Sequence, residues 1–178
     1  IEKYGADAMR FNLLTLVTNN QDVRFDANID KDTKELIDSP RTEAARSFVN
    51  KVWNASRFVL SNLEGFTPGE PCVTGPADAW VFSRLAQLSE RVTAGIEAYQ
   101  FGEVARELHG FFWNEFCDWY IEFSKSALQQ DGEARLQTQR NLVYVLDNAL
   151  RLLHPAMPFV TEAIWEKLPH GDQAPALM

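Results

Sequence analysis

One stretch of this chain, residues 41–63, carries side chains suited to capturing an unpaired base. Wound as a helix at about 100° per residue, it gathers Ala45, Phe48, Val49, Val52, Ser56, Val59, Leu60 and Leu63 on one face. Arg46, Asn50, Lys51, Asn54, Arg57, Phe58 and Ser61 fall on the other side. Phe58 therefore stands apart from the apolar stripe, beside Lys51 and Asn54. An aromatic ring among cations and amides can serve as a stacking platform for a base that has left its helix. The same ring covered by a neighbouring helix is ordinary bundle packing, and periodicity leaves both readings open. Residues 102–128 pose a similar choice. Val104, Ala105, Leu108, Phe112, Phe116, Trp119 and Phe123 form the main apolar face, and Trp113, Cys117 and Ile121 recur at every fourth position as a second stripe. That stripe either packs on a third helix or rims a ligand.

Other chemistry is sparse. Glu115, Asp118 and Glu122 follow one another at helical spacing. Such a row can serve acid–base catalysis, but its commoner use is solubility and pairing with basic side chains. The phosphate-cradling glycine motifs are absent. A di-iron bundle needs Glu-x-x-His on two helices, and none of His109, His154 and His170 lies three residues after a Glu. Cys72 and Cys117 have neither metal-ligand spacing nor a disulfide framework, which points to a reducing compartment, the cytoplasm. Asn54-Ala55-Ser56 matches a glycosylation acceptor, but in mid-helix it carries no meaning. No apolar run approaches the ~18 residues of a membrane span. The chain starts at Ile1 rather than Met and is expected to be a piece of a longer protein.

Proline distribution sets out the elements that must position these residues. Between Pro40 and Pro68, and between Pro76 and Pro155, the chain holds no proline. Proline breaks helix interiors, so the long helices belong there. Three-and-four apolar spacing predicts helices over residues 6–18, 41–63, 78–99, 102–128, 133–154 and 159–168. Residues 19–22 form a turn cluster and 23–25 a brief extended piece. Polar residues 26–38 predict a solvated loop with room for one turn of helix, and 64–76, with three Gly and three Pro, a linker. The expected fold is all-α, an up-down antiparallel helix bundle. It divides into a short N-terminal segment at 1–25, an extended polar loop at 26–40, the bundle at 41–168 and a frayed tail at 169–178.

With 17 Lys plus Arg against 25 Asp plus Glu, the 178 residues carry a formal charge of −8. Taken whole, that opposes a basic nucleic-acid domain. The charge is unevenly spread: residues 1–60 hold nine basic and nine acidic residues, and 61–178 hold eight and sixteen. Within 41–63, Arg41, Arg46, Lys51 and Arg57 face only Glu43, a local +3. The global charge limits non-specific binding to a polyanion, while this one helix stays cationic.

Several strings, in order, resemble the bacterial valyl-tRNA synthetase family of class Ia. They are YGADAMRF at residues 4–11, DVRFD at 22–26, FVNKVWNASRFVL at 48–60, WNEFCDWYIE at 113–122 and LHPAMPFVTEAIW at 153–165. The last marks the class Ia anticodon-binding fold in general. The Asn-Lys-x-aromatic-Asn-Ala-x-Arg-Phe pattern at 50–58 sets the chain apart from the isoleucine and leucine enzymes.

The resemblance implies an all-helical module that docks the anticodon arm of valine tRNA, with residues 1–25 as a stem-contact segment. By motif match, Phe58 and Ile121 would sandwich the middle anticodon base and Lys51 would touch the loop nearby. Stacking does not tell bases apart, so discrimination falls to Asn50, Asn54 and backbone groups near Lys51. Arg46 and Arg57 would serve phosphates. Residues 27–42 form a longer connection than the family's usual one, and only Arg41 is carried over from there. ATP, Mg²⁺, the valine pocket, the editing domain and a C-terminal coiled coil would belong to other parts of the same polypeptide. That leaves a catalytically inert, monomeric module with no cofactor of its own. The alternatives are the matching domain of an isoleucyl or leucyl enzyme, a purely structural interaction bundle, or a free-standing bundle enzyme using the carboxylate row.

Overall fold

The computed structural model describes residues 1–17, 25–169 and 176–177. The turn cluster at 19–22, the start of the extended piece at 23–25 and His170 lie outside the described residues. Among the described residues seven α-helices carry the fold: α1 Ala6–Leu16, α2 Pro40–Ser61, α3 Pro76–Glu97, α4 Phe101–Gly110, α5 Ile121–Leu128, α6 Glu133–Leu153 and α7 Pro158–Trp165. Three of them open on proline, whose missing N–H does no harm in a first turn. A π-helical segment, Phe111–Tyr120, joins α4 to α5 without a break. Among the described residues no helix is long and apolar enough to cross a membrane.

Cross-helix pairs fix the directions. Phe48, Lys51 and Phe58 of α2 meet Phe112, Asp118 and Lys125 in that order, so α2 runs parallel to the α4–π–α5 rod. Arg91 with Glu107, Arg84 with Glu115 and Asp78 with Tyr120 show α3 running against that rod. The bundle is up-down, as expected. Where α3 turns into α4 the packing is tight: a Cβ on Gly102 would sit 2.2 Å from the Val17 carbonyl oxygen at the end of α1.

The connection from α2 to α3 crosses one end of the bundle and is bound to α6 by side chains. Gln139 Nε2 donates to the carbonyls of Asn62 (2.7 Å) and Glu64 (3.1 Å). Arg140 Nε reaches Thr67 O (3.2 Å), and Gln137 Nε2 reaches Glu70 O (3.1 Å). Asn141 both accepts from the Cys72 N–H (2.9 Å) and donates to its carbonyl (2.7 Å). Gln139 and Asn141 are buried, so these amides satisfy backbone groups of a linker that has no ladder of its own. At the start of α3, Asp78 accepts from the Thr74 N–H and hydroxyl and from the Tyr120 hydroxyl. Burial alone would raise the Asp78 carboxyl. The hydrogen bonds from Thr74 and Tyr120 outweigh it and hold that carboxyl below its ordinary value.

Three features differ from the sequence expectation. First, the polar segment before α2 forms a small antiparallel hairpin, β1 Asn28–Ile29 with β2 Leu36–Asp38. Its turn is held by Asp30 Oδ1, which accepts the N–H groups of Asp32 and Thr33. Second, the tail is not wholly frayed: Leu177 is buried and its N–H meets the Glu162 carboxylate. Third, α1 shares the bundle's core. Phe11 lies 4.9 Å from Phe48, and the Asp7 carboxylate caps α7 by accepting the N–H groups of Phe159 and Val160.

The π segment explains one error of periodicity. An i→i+5 turn admits extra residues; here the Ile121 N–H reaches back to Phe116 O. From its last turn onward the helix is out of phase with an unbroken α count. Trp119 and Phe123, expected on the core face, are 57% and 53% exposed. Tyr120, Ile121 and Ser124 turn inward in their place.

Candidate nucleic-acid interface

The α2 stripe packs much as its spacing demands: Ala45, Phe48, Val52, Ser56 and Val59 are buried, with Ala55 and Thr42 added. Val49, Leu60 and Leu63 are half-buried against the same core. Asn50, Asn54 and Arg57 form an exposed crown, and among the described residues no ion pair engages Arg57.

One flank of this crown faces the π segment and α5. Lys51 Nζ lies 2.9 Å from Asp118 Oδ1 and 5.0 Å from the centre of the Trp113 ring. Phe58 is half-buried, packed on the core by one side, with Lys125 Nζ 5.9 Å from its centroid. Ile121 lies on α5 between Asp118 and Lys125, whose side chains reach α2, but it is only 6% exposed. The structure thus sets Lys51 and Phe58 of α2 against the parallel rod, at Asp118 and Lys125, along one seam. Ile121, expected to stand open beside the ring, is instead turned into the core. The stripe it belongs to packs inward: Cys117 is buried, and burial pushes its thiol up to about 12, a structural and unreactive state.

Arg41 and Arg46 lie well away from that seam. Seventeen and twelve residues separate them from Phe58, or about 25 and 18 Å of helix rise. Arg46 Nη1 donates to the Lys3 carbonyl at 2.6 Å, tying α2 to the chain's first turn. The Arg41 N–H is capped by Asp26 Oδ2, and its side chain borders a shallow pocket with Phe11, Thr15 and His109. Sequence reasoning missed Lys125. Its signal was its place one helical turn after Ile121.

The carboxylate row is paired along its length. Glu115 takes both prongs of Arg84 at 2.7 Å, Asp118 holds Lys51, and Glu122 holds Lys125 at 2.6 Å. The more exposed Lys51–Asp118 and Lys125–Glu122 pairs contribute about 0–1 kcal/mol each, so a polyanion can exchange them at small cost.

His109 sits behind the seam, 4.5 Å from Phe48 and stacked 5.4 Å from Trp113 at 16°. Burial lowers its pKa from the ordinary 6.5, so the folded protein favours the neutral ring. The unfolded chain then binds this proton more tightly than the folded one. The neutral ring's contribution is intact above 6.5 and is lost as pH falls from there toward the folded value. The midpoint of urea unfolding is therefore expected to drop between pH 7 and pH 5, and the drop to be shallower in His109→Gln. Parallel profiles for the two proteins would show that this ring does not carry the effect.

A family model described as the anticodon-binding domain of tRNA ligase matches residues 78–175. The chain is 49% identical over 178 residues to a valine–tRNA ligase of Enterococcus faecalis. It is 48% identical over 178 residues to one of Bacillus cereus, and 48% identical over 180 residues to one of Latilactobacillus sakei. Each alignment takes in 98% of this chain and 19% of the relative, so the chain spans about a fifth of the length of these curated relatives.

Proposed function

The chain belongs to the anticodon-binding domain family of tRNA ligases, and on that premise we propose that it is the module of a cytoplasmic valine–tRNA ligase that docks the anticodon arm of valine tRNA. The observation that carries this reading is the seam between α2 and α5. There a half-buried ring, Phe58, meets Lys125, with Lys51 two turns earlier on α2, beside an exposed crown of Asn50, Asn54 and Arg57.

The chemistry follows from what occupies the seam at rest. An arriving base takes the Phe58 face now shared with Lys125, and Lys125 swings to a phosphate. That exchange gives up a cation–π contact worth about 0.5–1 kcal/mol at an exposed site and gains stacking worth about 1–3 kcal/mol. Ile121 becomes the second wall by turning out from the core once the lysine has moved. Lys51 leaves Asp118 for the loop backbone, a charge-assisted contact replacing a weak surface pair. Asn50 and Asn54 supply the directional donors and acceptors that read a base edge. Arg57 serves phosphate; Arg46 and Arg41, lower on α2, serve the loop's flank. Attachment of valine with ATP and Mg²⁺ belongs to other parts of the polypeptide, and this module acts as a monomer without turnover of its own.

The test is binding of valine tRNA against the same tRNA with its middle anticodon base changed, at matched salt. The cognate RNA is expected to bind several-fold more tightly. Equal binding of the two would remove the anticodon reading and leave only generic attraction to RNA.

A further inference from the structure

The opposite flank of α2 carries a second feature, in the groove between α2 and α7. A cavity of about 190 Å³ opens there, lined by Trp53, Ser56, Arg57, Leu60, Ile164 and Lys167. Two of these six are cations and none is acidic, in a chain of net charge −8. Trp53 is 36% exposed, and Lys167 Nζ lies 5.8 Å from its ring centre. The floor is apolar, with Leu60 half-buried and Ile164 buried.

We propose that this groove is a second nucleotide subsite, which takes one residue of single-stranded RNA with its phosphodiester between Arg57 and Lys167 and its base against Trp53. Two cations facing a cavity without a carboxylate select an anion. An indole beside them selects an anion that carries a flat ring. Arg57 ties the groove to the crown: it lines the cavity and is adjacent in sequence to Phe58. Trp53 and Phe58 are five residues apart, about 7.5 Å along the axis and on opposite flanks. An RNA loop laid across α2 meets both. The subsite rests on the anticodon-arm reading and extends it from one flank of α2 to the other.

The experiment measures binding of the anticodon stem–loop of valine tRNA to the 178-residue chain and to Lys167→Gln, Trp53→Leu and Phe58→Ala. It is run across a salt series, with circular dichroism to confirm helicity. Lys167→Gln, a surface change, is expected to weaken binding about threefold and to reduce the salt slope by about one. Trp53→Leu is expected to weaken it about threefold or more with the slope unchanged. Inorganic phosphate at constant ionic strength is expected not to displace the RNA. If Lys167→Gln and Trp53→Leu bind like the parent while Phe58→Ala is weakened, the subsite is overturned and the anticodon reading stands. Displacement by phosphate at millimolar levels would make the groove a free-anion site and overturn it as an RNA subsite. No binding of the stem–loop by any of the four proteins would overturn both.

Discussion

Replacing Phe48 by alanine is expected to lower the free energy of unfolding by about 3–5 kcal/mol. Phe48 is wholly buried, and its ring lies within 6.4 Å of four others: Phe11 of α1, His109 of α4, and Phe112 and Trp113 of the π segment. The residue therefore joins three parts of the chain, and no one of them can move in to refill the space without leaving the other two. The size of the loss depends on how far a site can collapse, and this one is braced on several sides. A domain of this size has only about 5–15 kcal/mol to lose, so the variant falls near the threshold of folding. Urea denaturation at fixed pH reads the effect. A loss below about 1 kcal/mol would show that the four rings repack and that Phe48 is not the hub its contacts suggest.

The second large effect is on RNA. Phe58→Ala is expected to weaken binding of valine tRNA by about tenfold or more, within the ~1–3 kcal/mol that a stacked base contributes. Because Phe58 also packs on the core by one side, truncation alone confuses stacking with stability. Phe58→Leu separates them: it keeps most of the apolar contact and removes the flat face. It is expected to fold like the parent and still bind several-fold more weakly. Should both variants bind valine tRNA as the parent does at several salt concentrations, the ring is packing only.

Much of this fold could be read from the chain before any coordinates. The two proline-free stretches held the long helices, and the α2 stripe from Ala45 to Val59 was buried nearly residue for residue. Where reading failed, the cause was not local in sequence. Trp119 and Phe123 fit an unbroken α pattern better than Tyr120 and Ser124 do, and only the wide turn over Phe111–Tyr120 reverses them. The hairpin before α2 has few β-formers. It stands on the Asp30 turn and on Lys3 donating to the Ile37 carbonyl, a contact 34 residues distant. At the site, the resemblance supplied Phe58, Lys51 and Ile121; the structure sets the first two against the neighbouring rod and buries the third. That Lys125 covers the ring, and that Trp53 opens onto a different groove, depends on which helix lies on each side of α2. Residue types cannot carry that information.

The linker between α2 and α3 has a consequence for the order in which the molecule assembles. Its carbonyls and N–H groups are satisfied by Gln137, Gln139, Arg140 and Asn141, at separations of 67 to 77 residues. During synthesis from the N-terminus, α2 and α3 emerge and can coil long before those partners exist. The segment that joins them has nowhere to dry out its backbone until α6 has followed. Contacts so far apart along the chain are late contacts, since loop closure must come before they contribute. The linker is therefore a late seam to close: α6 works as a clasp fastened from the far side of the sequence, and the bundle stays open at that end until the clasp arrives.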